Sequence, residues 1–211
     1  MKKTTLIIIF LIILVDPLWA QTSWEIAQGP SSIKFKVNHL IFTTVEGKFK
    51  DFNGEVVTSN DHSLADSQME AKIEVGSINT GNQDRDKHLN SEDFFYAEKF
   101  PEIIFRSKSV EMTENNTYKI IGEISIRGVT KTIELVGQSS DIRQLSDGRI
   151  RMDLTATGKL NRYDFGLKWN DIMETGKALV GENVELSLKL ALTSSPQRIA
   201  RAEIPRFNTE Q

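Results

Sequence analysis

Apolar and polar residues alternate along most of the chain between Ile33 and Leu192. Alternation with a period of two marks a strand with one buried face and one wet face. Ile33, Phe35 and Val37 share a face, with Lys34, Lys36 and Asn38 opposite. The pattern returns in Val45-Glu46-Gly47-Lys48-Phe49, and Met69, Ala71, Ile73 and Val75 alternate with Glu70, Lys72 and Glu74. Further segments surround Ile103 and Phe105, Tyr118 to Arg127, Lys131 to Leu135, Arg149 to Ala156, and Val184 to Leu192. These are eight strand candidates, and no long stretch keeps a helical period.

Asn53-Gly54, Asn115-Asn116, Arg127-Gly128 and Asp147-Gly148 fall between the alternating runs as turn signals. One apolar face per strand predicts an all-β, antiparallel sheet with one side buried. Eight such strands can close into a barrel without a free edge, just wide enough inside for one small ligand. A two-sheet sandwich satisfies the same alternation.

Between the third and fourth candidates lies Ser77 to Phe105, too specific for a generic connector. Ser91, Glu92 and Asp93 carry the signature of a short helix start, with acidic residues in the first turn. Phe94, Phe95 and Tyr96 then cluster three aromatics, and Phe100-Pro101 ends the segment. A helix or turn here is expected to pack across one mouth of the barrel.

The N-terminus departs from the pattern. Lys2 and Lys3 precede an unbroken apolar run from Leu6 to Val15, followed by Ala20. This order reads as a secretory signal peptide over residues 1–20, and the run is shorter than the about 20 residues that span a bilayer. No stable membrane anchor is expected, and the location is periplasmic or secreted. The barrel domain is expected over 21–192, with a polar tail over 193–211. Without residues 1–20, Lys+Arg falls to 24 and Asp+Glu to 28, a net charge of -4. This mild acidity argues against a nucleic-acid partner. The chain has no Cys, which excludes thiol catalysis, zinc–thiolate sites and disulfides.

Several ordered phrases carry a family resemblance. They are Ser77 to Asn82 with Asp84-Arg85-Asp86, His88-Leu89 and Ser91 to Phe95; Lys99-Phe100-Pro101 with Ile104-Phe105 and Ser107; Ile126 to Lys131; Asn161 to Gly166; and Val180-Gly181. In these the chain resembles the YceI-like family of exported isoprenoid-lipid-binding proteins, over roughly Trp24 to Leu192. The resemblance implies a lipocalin-like barrel around a polyisoprenoid chain, such as an isoprenoid quinone or polyprenyl lipid, for transport, storage or stress protection. It implies no enzyme activity, cofactor or metal. Burying about 400 Å² of such a chain gains on the order of 10 kcal/mol gross, at ~25 cal/mol per Å². A homodimer stays open.

On this reading the tube is lined by Phe35, Val37, Phe49, Ile73, Val75, Phe105, Ile124, Ile126, Leu154, Leu186 and Leu188, with Phe94, Phe95 and Trp169 as candidates for its mouth or lid. The same residues could instead pack together as a dry core. His88, Arg162 and Asp164 are the candidates for polar contact, although an Arg162–carboxylate pair would serve structure alone. Asn82, Asp84, Asp86 and Asp93 echo a calcium loop, but Lys87 and Asp93 stand where Gly and Glu are needed. His39, His62 and His88 lie far apart in sequence. The chain has no Gly-x-Ser-x-Gly elbow and no Gly-rich phosphate loop. The alternatives are an exported hydrolase or isomerase with Asp and His at the mouth, or a secreted protein-interaction scaffold.

Overall fold

The computed structural model describes residues 21–39, 43–59, 63–169 and 180–194. The expected signal peptide lies outside them, as do His62, the side chain of His39 and the tail beyond Ser194. The strands in chain order are β1 Thr22–Ile26, β2 Ser32–His39, β3 Thr43–Phe49, β4 Phe52–Thr58, β5 Gln68–Glu74, β6 Ile78–Asn79, β7 Glu102–Glu114, β8 Thr117–Ile126, β9 Val129–Ser139, β10 Arg143–Gln144, β11 Ile150–Asn161 and β12 Val180–Ser194. All described pairings are antiparallel. Strands β11, β9, β8, β7, β5, β4, β1 and β12 form a ring, which the β11–β12 ladder closes. The architecture is thus the closed eight-stranded antiparallel barrel, not the sandwich.

The ring differs from the eight sequence candidates in an instructive way. Strands β1 and β2 lie end to end along one edge of β12: β2 pairs with Val180 to Lys189, and β1 with Leu192 and Thr193. Strands β3 and β4 continue this division, β3 beside β2 and β4 beside β1. The wall therefore has two tiers on this side, β1-β4-β5 below and β2-β3-β6 above. The Asn53-Gly54 turn signal hides the lower tier, because both residues sit inside β4 opposite Lys72 and Ala71. Gly54 answers a close approach instead: a Cβ there would meet the Glu70 carbonyl oxygen at 2.5 Å. Strand β12 runs through Ser194, two residues past the expected barrel boundary.

The other turn signals make turns. Arg127 and Gly128 both have positive φ, 50° and 76°, in a two-residue hairpin between Ile126 and Val129. Such a loop needs left-handed backbone at both central positions. Phe100 occupies the space where a Gly128 side chain would stand, 2.7 Å from an ideal Cβ. Gly128→Ala is expected to lower stability by about 1–2 kcal/mol through the φ penalty alone. Urea unfolding measures this, and an unchanged midpoint would show that the turn tolerates the strain.

The helix α1 occupies Gln83–Asn90, eight residues earlier in the segment than the Ser91 start expected from sequence. Ser91 is its C-cap, while the Asn82 side chain accepts from the Arg85 N–H at the other end. Nothing on α1 is fully buried, so local bonds hold it in place of a packed face. Asp86 accepts from the Thr80 N–H and hydroxyl at 2.9 and 2.6 Å, and Arg85 donates to the Thr80 hydroxyl and carbonyl. This network uses Asn82 and Asp86, two of the four side chains that echo a calcium loop. Among the described residues no group of three His or carboxylate side chains is placed to hold a metal ion. No described helix is long and apolar enough to cross a membrane.

Candidate functional site

The barrel's inward faces do not meet. They enclose a cavity of roughly 570 Å³, within the ~300–1,000 Å³ typical of small-molecule sites. From the upper tier come Phe35, Val37, Val45 and Phe49. From the lower tier and β7 come Val56, Ile73, Ile103 and Phe105, and from β8 and β9 Ile120, Ile124, Ile126 and Leu135. The last side is Leu154, Ala156 and Leu160 of β11 with Leu186, Leu188 and Leu190 of β12. A closed void of this volume in a packed core costs on the order of 10 kcal/mol, at ~24 cal/mol per Å³. That rivals the whole net stability of a domain, about 5–15 kcal/mol. The space is therefore far larger than a packing fault.

Of the residues singled out from sequence, Val75 does not face the cavity. The strand ends at Glu74, and Val75 begins a single 3-10 turn whose N–H donates to the Pro101 carbonyl, leaving the side chain 1% exposed in the surrounding core. Asp164 is also displaced, to the exposed side of a 3-10 turn over Arg162–Phe165. The remaining lining candidates, with His88 and Arg162, border the cavity. Residues such as Leu160, Leu167, Ile103 and Leu190 join them without having been singled out.

One end of the cavity is covered by aromatic rings. Phe94 packs on Trp169 at 5.6 Å between centroids, and the His88 ring meets both edge-on, at 5.5 and 4.6 Å. Phe95 contacts Phe49, which contacts Phe35. His88 Nε2 lies 3.4 Å from an Asp93 carboxylate oxygen. Asn82, Asp84 and Arg85 of the α1 region complete a polar rim at this end.

Arg162 holds the cover from within. The residue is 3% exposed, and among the described residues it pairs with no carboxylate. Its Nε donates to the Gly181 carbonyl at 2.8 Å, Nη2 to that of Val180 at 3.0 Å, and Nη1 to those of Leu167 and Trp169 at 2.5 and 2.9 Å. The guanidinium also lies over the Tyr163 ring, 4.5 Å from its centroid. Burial pushes its pKa below the usual arginine value, against opposing pulls from Tyr163 and Glu182. It remains a cation all the same, since arginine does not deprotonate in proteins. The Asn161-to-Gly166 phrase is the local frame: Asn161 caps the turn by accepting from the Tyr163 N–H, and Gly166 leaves it at φ 75°.

Arg127 is a second clamp. It donates to the carbonyls of Glu92 and Gly166, at 2.8 and 3.0 Å, tying together the loops that carry Phe94 and Trp169. The sequence marks Arg127 as part of a turn and of the Ile126-to-Lys131 phrase, and neither points to this clamp. The available signal is an arginine at the first central position of a two-residue turn, where Asn, Asp or Gly is the usual choice.

The comparisons with known proteins agree with this geometry. The model of the YceI-like domain matches residues 24–192. A UPF0312 protein of Staphylococcus aureus strain N315 is 35% identical over 168 residues, covering 78% of this chain and 93% of the relative. One of Photorhabdus laumondii is 35% identical over 140 residues, 64% of this chain and 70% of its own length. Among solved structures, the Campylobacter jejuni YCEI protein superposes with a TM-score of 0.62 at 28% identity, covering 77% of this chain and 91% of that one. A polyisoprenoid binding domain from Saccharophagus degradans shares the fold at 15% identity and a TM-score of 0.59, covering 84% and 100%. With the family model spanning all but the ends of the described barrel, the chain belongs to the YceI-like family.

Proposed function

We propose that this protein encloses the apolar chain of one lipid, of the isoprenoid class, in the barrel cavity. The observation that carries the reading is the large cavity inside the barrel, walled by aliphatic and phenyl side chains and covered at one end by Phe94, Trp169 and His88. Transfer of chain surface from water into such a wall supplies the driving force without a charged anchor. The Saccharophagus neighbour, described as a polyisoprenoid binding domain, lends the isoprenoid class its support. The protein acts by binding and not by catalysis, needs no cofactor, and works outside the cytoplasm after removal of residues 1–20. Transport, storage and protection are each served by such a container, and an isoprenoid quinone is a fitting occupant.

The test is direct titration with a linear prenol, monitored by calorimetry. Saturable binding of one molecule per chain is expected, with a negative heat-capacity change from apolar burial. An absence of uptake would overturn the reading. Trp169→Ala removes a cover ring with two aromatic contacts. Release is then expected about tenfold faster, since each such contact is worth ~0.5–1.5 kcal/mol. Stopped-flow release measures this, and an unchanged rate would remove Trp169 from the exit path.

A further inference from the structure

The cavity is covered at one end, and at the other it stops on a floor of buried side chains from five strands. Along β8, Ile126, Ile124 and Ile120 border the cavity, whereas Tyr118, the next inward residue, does not. The lining ends in the same way between Leu154 and Met152 on β11, between Leu190 and Leu192 on β12, and between Val56 and Thr58 on β4. On β1 it ends between Ile26 and Trp24. All five residues below the line are at most 2% exposed. Register aligns two of them, with Met152 opposite Leu192 one step below Leu154 opposite Leu190, and around the rest of the ring the boundary steps along the strands, since Ile26 pairs with Leu192 and Trp24 with Val56.

The floor is also stiff. Trp24 Nε1 donates to the Thr58 hydroxyl on the neighbouring strand at 3.1 Å, which fixes the indole in place. The Tyr118 hydroxyl accepts from the Leu64 N–H at 3.4 Å, and Leu64 itself is fully buried against this end. Rings held by both packing and a hydrogen bond do not move aside as a methionine-rich core would.

We propose that this layer of side chains, Met152 and Leu192 among them, is a ruler that sets the longest apolar chain the barrel takes fully. The proposal rests on the lipid-binding reading above. Each methylene that enters the tube tightens binding about fourfold, from the transfer free energy of a CH2 group. Once the chain end touches the floor, a further methylene stays at the wet mouth and gains little. Affinity therefore rises with chain length and then levels off.

The experiment uses linear saturated primary alcohols that lengthen one methylene at a time, with affinities from competition against a fluorescent fatty probe. Wild type is compared with Met152→Ala, which deepens the tube, and Ala156→Leu, which raises the floor beside Leu188. The plateau is expected about three methylenes later in Met152→Ala, the size of the side chain removed, and earlier in Ala156→Leu. A plateau at one length in all three proteins, or a rise without plateau, overturns the ruler and leaves the lipid reading standing. Failure of every alcohol and prenol to bind wild type removes both. Should Met152→Ala fail to fold, the shift to shorter chains in Ala156→Leu decides alone.

Discussion

Arg162→Met is expected to lower stability by about 3–5 kcal/mol, the range for breaking a buried charged network. Four backbone carbonyls, those of Leu167, Trp169, Val180 and Gly181, lose their donor at once. Each acceptor left buried without a partner costs about 1–3 kcal/mol, relieved in part where water can enter. The loss is expected to be local in its consequence. The four carbonyls belong to the two chain segments that flank residues 170–179, so the start of β12 and the Trp169 cover are freed together. Arg162→Lys restores the charge without the planar fork, and a single ammonium cannot reach carbonyls on both segments in the same way. It is expected to recover less than half of the loss. Chemical denaturation gives the midpoints, and an Arg162→Met protein as stable as wild type would show the network to be dispensable.

Leu188→Trp is expected to reduce lipid affinity at least about a hundredfold while leaving stability unchanged or raised. Leu188 faces the cavity opposite Ala156 and Ile33, where a larger ring has open space in front of it. In a packed core the same enlargement would be overpacking, which costs about 1–3 kcal/mol. In a container the ring takes the place of the ligand and recovers contacts that the void denies to its wall. The sign of the stability change thus separates a lined tube from a dry core. Thermal unfolding together with prenol titration measures both halves. Loss of stability with binding retained would place Leu188 in packing alone.

The sequence makes the barrel legible because strand alternation is a local signal. Phe35, Ile124 and Leu186 announce their inward direction through their immediate neighbours. The lower tier is hidden for the same reason: Asn53-Gly54 imitates a turn locally, and only the Glu70 carbonyl across the ladder explains the glycine. The helix shows a similar limit. Ser91 carries a start signal, but Asn82 with the Thr80–Asp86 bonds wins the cap, because it satisfies more backbone and side-chain donors. Arg162 is visible as a charge near the last hairpin, and the simplest expectation pairs it with a carboxylate. Among the described residues it donates chiefly to four carbonyls, which carry no sequence signature at all. Lining and packing positions are indistinguishable along a strand. Ile120 and Tyr118 have the same parity, and only the barrel's depth puts one on the cavity and the other beneath it.

The central claim is that the barrel is a container for one apolar chain. Organic extraction of the protein purified from cells that make isoprenoid lipids, followed by mass spectrometry, tests it most directly. The expected result is one isoprenoid lipid in near-equimolar amount with the chain, lost in Leu188→Trp. An extract without lipid, from a protein that also fails to take up added prenol, would contradict the account.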